Sequence, residues 1–233
     1  MTTVMKRTAT ASILSLLLAT AAPAARAQGG GAFRHEWAAG VSGGMNYASV
    51  SFSPKVQQSM YAGYTGGLTL RWITEKNLGL QLEANVKQQG WKENFENADD
   101  GQDYSAFHYR RRMNYVDIPF LTHVYFGSGR MNFFVNLGPQ IGFLLGEKTE
   151  ENLGGVEPQR MNAQHAMPAA KSFEWGLGGG PGVELRTGAG YFLLEGRFYY
   201  ALSDFYDTRR RDAFGKASAQ VISVRLSYLI PFR

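Results

Sequence analysis

The chain has 233 residues, a formal charge of +5, no cysteine, and 15 Phe, 12 Tyr, 4 Trp and 28 Gly. Without cysteine, disulfides and thiol chemistry are excluded. No stretch beyond the N-terminus offers the about 20 consecutive apolar residues of a membrane-spanning helix, so any crossing of a membrane must use strands.

In chain order, the first 27 residues read as a secretory signal peptide. Lys6 and Arg7 form its positive start. The stretch 9–22, with Leu14, Leu16, Leu17 and Leu18, is its apolar centre, and Ala25-Arg26-Ala27 matches the small-residue cleavage pattern. Residues 28–233 then form the mature domain. Losing Lys6, Arg7 and Arg26 takes the formal charge from +5 to +2, so the basic balance gives no reason to expect nucleic acid as a partner.

Eight segments alternate with period two, which is the repeat of a strand with two chemically different faces. The first, 37–47, has Trp37, Ala39, Val41, Gly43, Met45 and Tyr47 on one face. The second, 62–72, sets Tyr64, Leu68, Leu70 and Trp72 against Thr65, Thr69 and Arg71. In the third, Leu78, Leu80, Leu82, Ala84 and Val86 alternate with Gln81, Glu83, Asn85 and Lys87. The remaining segments are 110–126, 131–145, 173–185, 192–202 and 221–232. The last carries Ile222, Val224, Leu226, Tyr228, Ile230 and Phe232 on every second position. Lengths of about 11–16 residues are long for globular strands and enough to cross a bilayer at a tilt.

The connections alternate in length. Short ones fall at 74–77, 127–130 and 187–190, and long ones at 49–61, 92–109, 146–172 and 203–218. This pattern predicts an all-β fold: an eight-stranded antiparallel up-and-down transmembrane β-barrel, with periplasmic turns, extracellular loops and both termini periplasmic.

A soluble barrel has the same alternation with its faces reversed, apolar inside and polar outside. Aromatic placement separates the two. On the apolar parity, Trp37, Trp72, Phe126, Phe133, Phe192 and Phe232 fall at the turn-side ends of their strands. Tyr47, Tyr64, Phe143, Phe173, Trp175 and Tyr200 fall near the loop-side ends. Two aromatic belts around an aliphatic band fit the two interfaces of a membrane.

The opposite parity collects Arg71, Glu83, Lys87, Asp117, Glu184, Glu195, Arg197 and Arg225, with His123. Eight strands enclose only enough room for their own side chains. Isolated charges there cost several kcal/mol, so these residues are expected to form a structural ion-pair network. A narrow polar path is the competing expectation, because inward Gly176, Gly178, Gly180 and Gly182 leave space for water or a large neighbour.

At the loop side stand Arg110-Arg111-Arg112 and Arg209-Arg210-Arg211. Arg110, Arg112, Arg209, Arg210 and Arg211 are candidates for contacts with lipopolysaccharide phosphates, since guanidinium groups suit bidentate phosphate binding. The competing expectation is pairing with Asp99, Asp100 and Asp103 beside one triplet, and with Asp204, Asp207 and Asp212 beside the other.

No catalytic, metal or cofactor site is expected. His35, His108, His123 and His165 lack metal-ligand spacing. His108 with Asp103, Asp204 and Asp207 is a grouping of common loop residues. The glycine run of the sixth segment is followed by no Lys-Ser or Lys-Thr and opens no helix, so it is no phosphate loop.

Several stretches resemble the outer-membrane β-barrel family common in Bacteroidota, of the porin-family or PorT-like type. They are Val41-Ser42-Gly43-Gly44-Met45-Asn46-Tyr47, Tyr115-Val116-Asp117-Ile118-Pro119-Phe120, Val135-Asn136-Leu137-Gly138-Pro139, the glycine-rich stretch 176–185, and Leu194-Glu195-Gly196-Arg197-Phe198-Tyr199-Tyr200. The resemblance implies an eight-stranded barrel of the Gram-negative outer membrane. The closing strand also resembles the C-terminal signal read by barrel-assembly machinery, with Arg233 placed after the aromatic. The functional expectation is a structural or binding role through the loops, with outer-membrane lipid, lipopolysaccharide and an unidentified envelope protein as partners. The alternatives are a small porin-like channel and a PorT-like component of a secretion or envelope-assembly machine.

Overall fold

Eight strands follow one another around a ring, each antiparallel to the next, and the eighth closes on the first. They are β1 (Glu36–Ser53), β2 (Ser59–Glu75), β3 (Leu78–Asn94), β4 (His108–Phe126), β5 (Met131–Asn152), β6 (Phe173–Thr187), β7 (Gly190–Ala201) and β8 (Lys216–Phe232). The computed structural model describes residues 35–53, 55–56, 58–94, 108–127, 129–152, 171–206 and 216–232. The expected signal peptide, 1–27, lies outside the described residues.

Closure removes every sheet edge within the wall, which a bilayer demands because its core offers no water to unpaired backbone groups. β1 and β8 pair continuously from Trp37↔Phe232 to Ser53↔Lys216. The turns are tight. Lys76 and Asn77 join β2 to β3, with Asn77 in the left-handed region at φ 71°, a conformation Asn tolerates. Its Nδ2 donates to the Tyr125 carbonyl at 2.7 Å, tying this turn to β4.

The two faces have the chemistry of a membrane barrel. Leu68, Leu137 and Leu226 are 64%, 63% and 66% exposed on the outside, whereas Glu83, Lys87 and Arg225 are buried inside. A soluble barrel would reverse this, so that alternative is excluded. The belt residues all point outward. Trp37 stacks on Trp72 with ring centroids 5.2 Å apart and stands opposite Phe232. Phe126 faces Phe133, and Phe192 packs on Tyr228 at 4.9 Å. Toward the loops, Tyr47 and Tyr64 flank the β1–β2 seam, Phe143 meets Phe173 at 5.4 Å, Trp175 pairs with Ile141, and Tyr200 with Leu177.

Most strands run further into the expected loops than the alternation predicts. β1 and β2 leave only 54–58 between them, β3 reaches Asn94, β5 reaches Asn152 and β8 begins at Lys216. The faces invert there. Ser49, Ser51, Lys92, Arg110, Arg112 and Lys148 point outward, while Val50, Phe52, Tyr61, Trp91, Tyr109 and Met113 are buried inside. Beyond the lipid band the wall stands in water and takes the chemistry of a soluble barrel. A reading keyed to outward apolar residues therefore ends each strand where the surroundings change. β6 and β7 are the exceptions: β6 begins at Phe173 as expected, and Leu202 lies past the end of β7 at Ala201.

One irregularity matters for the interior. The β4–β5 register slips between Asn114↔Gly146 and Tyr115↔Leu144, leaving Leu145 as the extra residue. A bulge of this kind shifts the alternation by one. Glu147, on the lipid-facing parity by simple counting, is thereby turned inward.

Candidate functional site

β3 forms the spine of the lumen. Gln81, Glu83, Asn85, Lys87, Gln89, Trp91 and Glu93 all project inward and are nearly fully buried, so the interior can be followed from the turn side upward.

The floor is apolar: Ala38, Phe134, Tyr191, Leu193 and Leu229 pack together, with Tyr125 against them. Beside it, opposite Ala38 and Leu193 in register, Arg71 Nη1 pairs with Glu184, whose other carboxylate oxygen accepts from Arg186 Nε at 2.5 Å. The Arg186 guanidinium lies over the rings of Tyr125 and Tyr191 at 5.2 and 5.0 Å. His123 stands 3.5 Å from Arg71 and hydrogen-bonds the Asn136 side chain through Nδ1 at 2.8 Å.

The middle tier centres on Glu83. Arg197 donates to both its oxygens, at 2.8 and 2.9 Å, and Arg225 Nη2 approaches it at 3.0 Å. Gln81 and Asn85 donate to the same carboxylate at 2.6 and 2.9 Å. Arg197 also holds Glu195 through Nε and Nη2, both at 2.9 Å. Charge-assisted, forked contacts of this kind are the strong ones. The next tier places Lys87 Nζ between Asp117 and Glu174, 3.0 Å from each. It also lies over the Tyr199 ring at 4.4 Å, and Gln89 donates to Glu174 at 2.7 Å.

An aromatic cap closes the loop side. Val50, Phe52, Trp91, Tyr109, Met113, Tyr115, Phe205, Tyr206 and Ala217 form one buried cluster. Phe205 and Tyr206 come from the segment after β7, which folds over the mouth. Asp204 Oδ1 pins it by accepting from the Ala217 N–H and the Ser218 hydroxyl, both at 2.9 Å. Arg111 crosses the cap. It pairs with the bulge-turned Glu147 at 2.5 Å, lies over Trp91 at 5.5 Å and donates to the Tyr206 hydroxyl at 3.3 Å. Burial pushes that hydroxyl above the usual phenol range, against the pull of the Arg111 cation.

All eight charged residues expected in the lumen lie inside, none more than 4% exposed. Alternation did not single out Glu174, Arg186, Arg111 or Glu147. The first two share the inward parity of Glu184 and could have been found by it. Glu147 required the bulge. The aromatic cap was also missed, because rings were sought only for the outward belts. Large side chains stand against inward Gly182 and Gly176, where a Cβ would lie 2.2 Å from Phe134 Cζ and 2.9 Å from the Tyr199 ring, whereas one on Gly180 would meet the β7 backbone.

At the rim, Arg110 and Arg112 point outward and Arg111 inward. Arg110 meets Glu150 at 3.5 Å in an exposed contact. Arg209, Arg210, Arg211, Asp99, Asp100, Asp103, Asp207, Asp212 and His165 lie outside the described residues. His108 is exposed at the start of β4, and Asp204 is engaged at the mouth. Among the described residues no group of His, Asp and Glu has the arrangement to hold a metal ion.

A closed ring that is apolar outward and ion-paired inward defines an integral membrane β-barrel. The model of the outer membrane protein beta-barrel domain matches residues 26–207, and the chain belongs to that family. It is thus an integral protein of the outer membrane. No curated protein sequence matches it. Among solved structures it is similar to the outer membrane protein OprG from Pseudomonas aeruginosa, at 13% identity and a TM-score of 0.48 over 85% of this chain and 95% of that one. It is also similar to the attachment invasion locus protein Ail of Yersinia pestis, at 10% identity and 0.41 over 84% and 99%. A third similar structure is the outer membrane enzyme PagL, at 13% identity and 0.39 over 85% and 100%.

Proposed function

We propose that this barrel is a closed, non-catalytic scaffold of the outer membrane, with a structural or binding role exercised at its loop-side rim. The observation that carries this reading is the filled interior. An apolar cluster interleaved with the Arg71–Glu184 pair at the turn side, two further tiers of paired charge and an aromatic cap occupy the lumen. A porin needs a continuous aqueous path, whereas eight strands leave room only for side chains. The absence of catalysis is supported by Asp204, the acid most easily grouped with His108, because both its described contacts hold the mouth segment in place.

In this reading the leader is cleaved after Ala27 and the turn side, with both termini, faces the periplasm. Outer-leaflet lipids surround the loop side, and barrel-assembly machinery inserts the chain. Planar-bilayer recording of the purified, folded protein tests the proposal. The expected result is no unitary conductance above the lipid background. Reproducible single-channel steps would establish a porin-like channel instead.

A further inference from the structure

The register of β3, β4 and β5 arranges their outward side chains in rows. The last apolar row is Val86, Val116 and Phe143. Two residues higher stand Gln88, Asn114 and Gly146, then Gly90, Arg112 and Lys148, then Lys92, Arg110 and Glu150. Four cations and one acid therefore share a patch immediately above the lipid band. Arg112 lies directly opposite Lys148, and Lys92 directly opposite Arg110. Like charges opposite each other on one face destabilise a sheet. Of these four cations, only Arg110 has an ion pair with a described residue, the exposed one with Glu150.

Gly90, beside Arg112, carries no side chain, and a Cβ there would stand 1.9 Å from the Arg111 carbonyl oxygen. The position is held to glycine by backbone contact, so it places no side chain between Lys92 and Arg112.

The patch also stands at a defined height above the apolar band. Arg112 is four residues beyond Val116, about 13 Å along the strand and about 10 Å above the apolar edge once strand tilt is allowed for. Long basic side chains bend toward an interface while keeping their heads hydrated, which brings these cations to the headgroup layer.

We propose that Lys92, Arg112 and Lys148, assisted by Arg110, form a binding site for the phosphates of an outer-leaflet glycolipid of the lipid A class. This rests on the loop side facing the cell exterior. Anionic phosphate between the opposed cations converts a repulsive arrangement into a set of charge-assisted contacts, with Arg112 able to engage it through a fork. The site lies on the outer wall, apart from the lumen.

The test is thermal unfolding of the purified full-length barrel in neutral detergent, followed by its heat-modifiable gel mobility. The added probes are bisphosphorylated lipid A, the same lipid with both phosphates removed, and inorganic phosphate. The expected result is a rise in the midpoint with bisphosphorylated lipid A alone. Neutralising the site in a Lys92→Gln, Arg112→Gln, Lys148→Gln variant abolishes that rise. Without lipid the same variant melts no lower than wild type, because the opposed cations are gone. Equal shifts with the phosphorylated and dephosphorylated lipids would overturn the site. So would a shift retained by the triple variant, or one reproduced by inorganic phosphate, which would indicate a free-anion site. Satisfaction of these cations by acids of the 95–107 connection gives no phosphate-dependent shift and counts the same way. The wild-type comparison stands even if the triple variant fails to fold. Failure here leaves a closed, non-conducting barrel unaffected, since that is read by conductance.

Discussion

Arg197 on β7 and Glu83 on β3, 114 positions apart in the chain, meet across the lumen through two parallel hydrogen bonds of 2.8 and 2.9 Å. Both side chains are almost fully buried. Glu83 also neutralises Arg225 from β8 at 3.0 Å, so one carboxylate ties β3 to the neighbouring strands β7 and β8, with neither of which it shares a ladder.

Removing that carboxylate should be costly. Glu83→Gln leaves two buried guanidinium groups undercompensated, and breaking a buried pair by deleting one partner costs about 3–5 kcal/mol. Urea unfolding in a detergent or lipid system that refolds reversibly should show the loss. Wild-type stability in Glu83→Gln would dismiss the structural role of the network.

Trp91 separates stability from closure. Its buried ring stacks on Phe205 at 5.9 Å and meets Phe52 at 5.3 Å. Trp91→Ala should lower stability by about 3–5 kcal/mol through cavity formation. It should still give no conductance, because the Lys87 tier lies beneath the cap. Channel steps appearing in Trp91→Ala alone would show that the cap is the gate and the charged tiers are not a seal.

Two glycines on neighbouring strands should respond in opposite ways. A Cβ on Gly180 would lie 1.9 Å from the Gly196 carbonyl oxygen, whereas one on Gly196 meets nothing within 4 Å. Gly180→Ala should sharply reduce the folded fraction on gels, and Gly196→Ala should leave it unchanged. Similar yields for the two variants would show that the wall is more compliant than the β6–β7 spacing implies.

The end of β8 carries an assembly prediction. Phe232 is exposed to lipid opposite Trp37, in the turn-side aromatic belt. Phe232→Ala should lower the amount of barrel inserted in cells, and deletion of Arg233 should not. Equal insertion of Phe232→Ala and wild type, measured by membrane fractionation, would remove the terminal aromatic from the recognition signal.

Strand number, antiparallel order and the orientation of nearly every side chain within the lipid band were legible in the sequence. Val41, Leu82 and Leu226 face outward and Arg71, Glu83 and Arg225 inward, as period-two counting predicts. That succeeds because alternation is a local property of extended backbone, and because lipid imposes one chemistry on the whole outer face. It fails above the band, where outward Lys92 and inward Trp91 obey water instead.

By itself, then, the sequence determined the ring of eight strands, its apolar exterior and the burial of its charges, since each follows from local alternation and the solvent it meets. Only the tertiary structure decided the partners. Which cation meets Glu83, that Glu174 shares Lys87 with Asp117, and that Arg112 faces Lys148 all depend on inter-strand register. The inward turn of Glu147 depends on one extra residue in β5. Register is set by how eight strands close together, and no single strand carries that information.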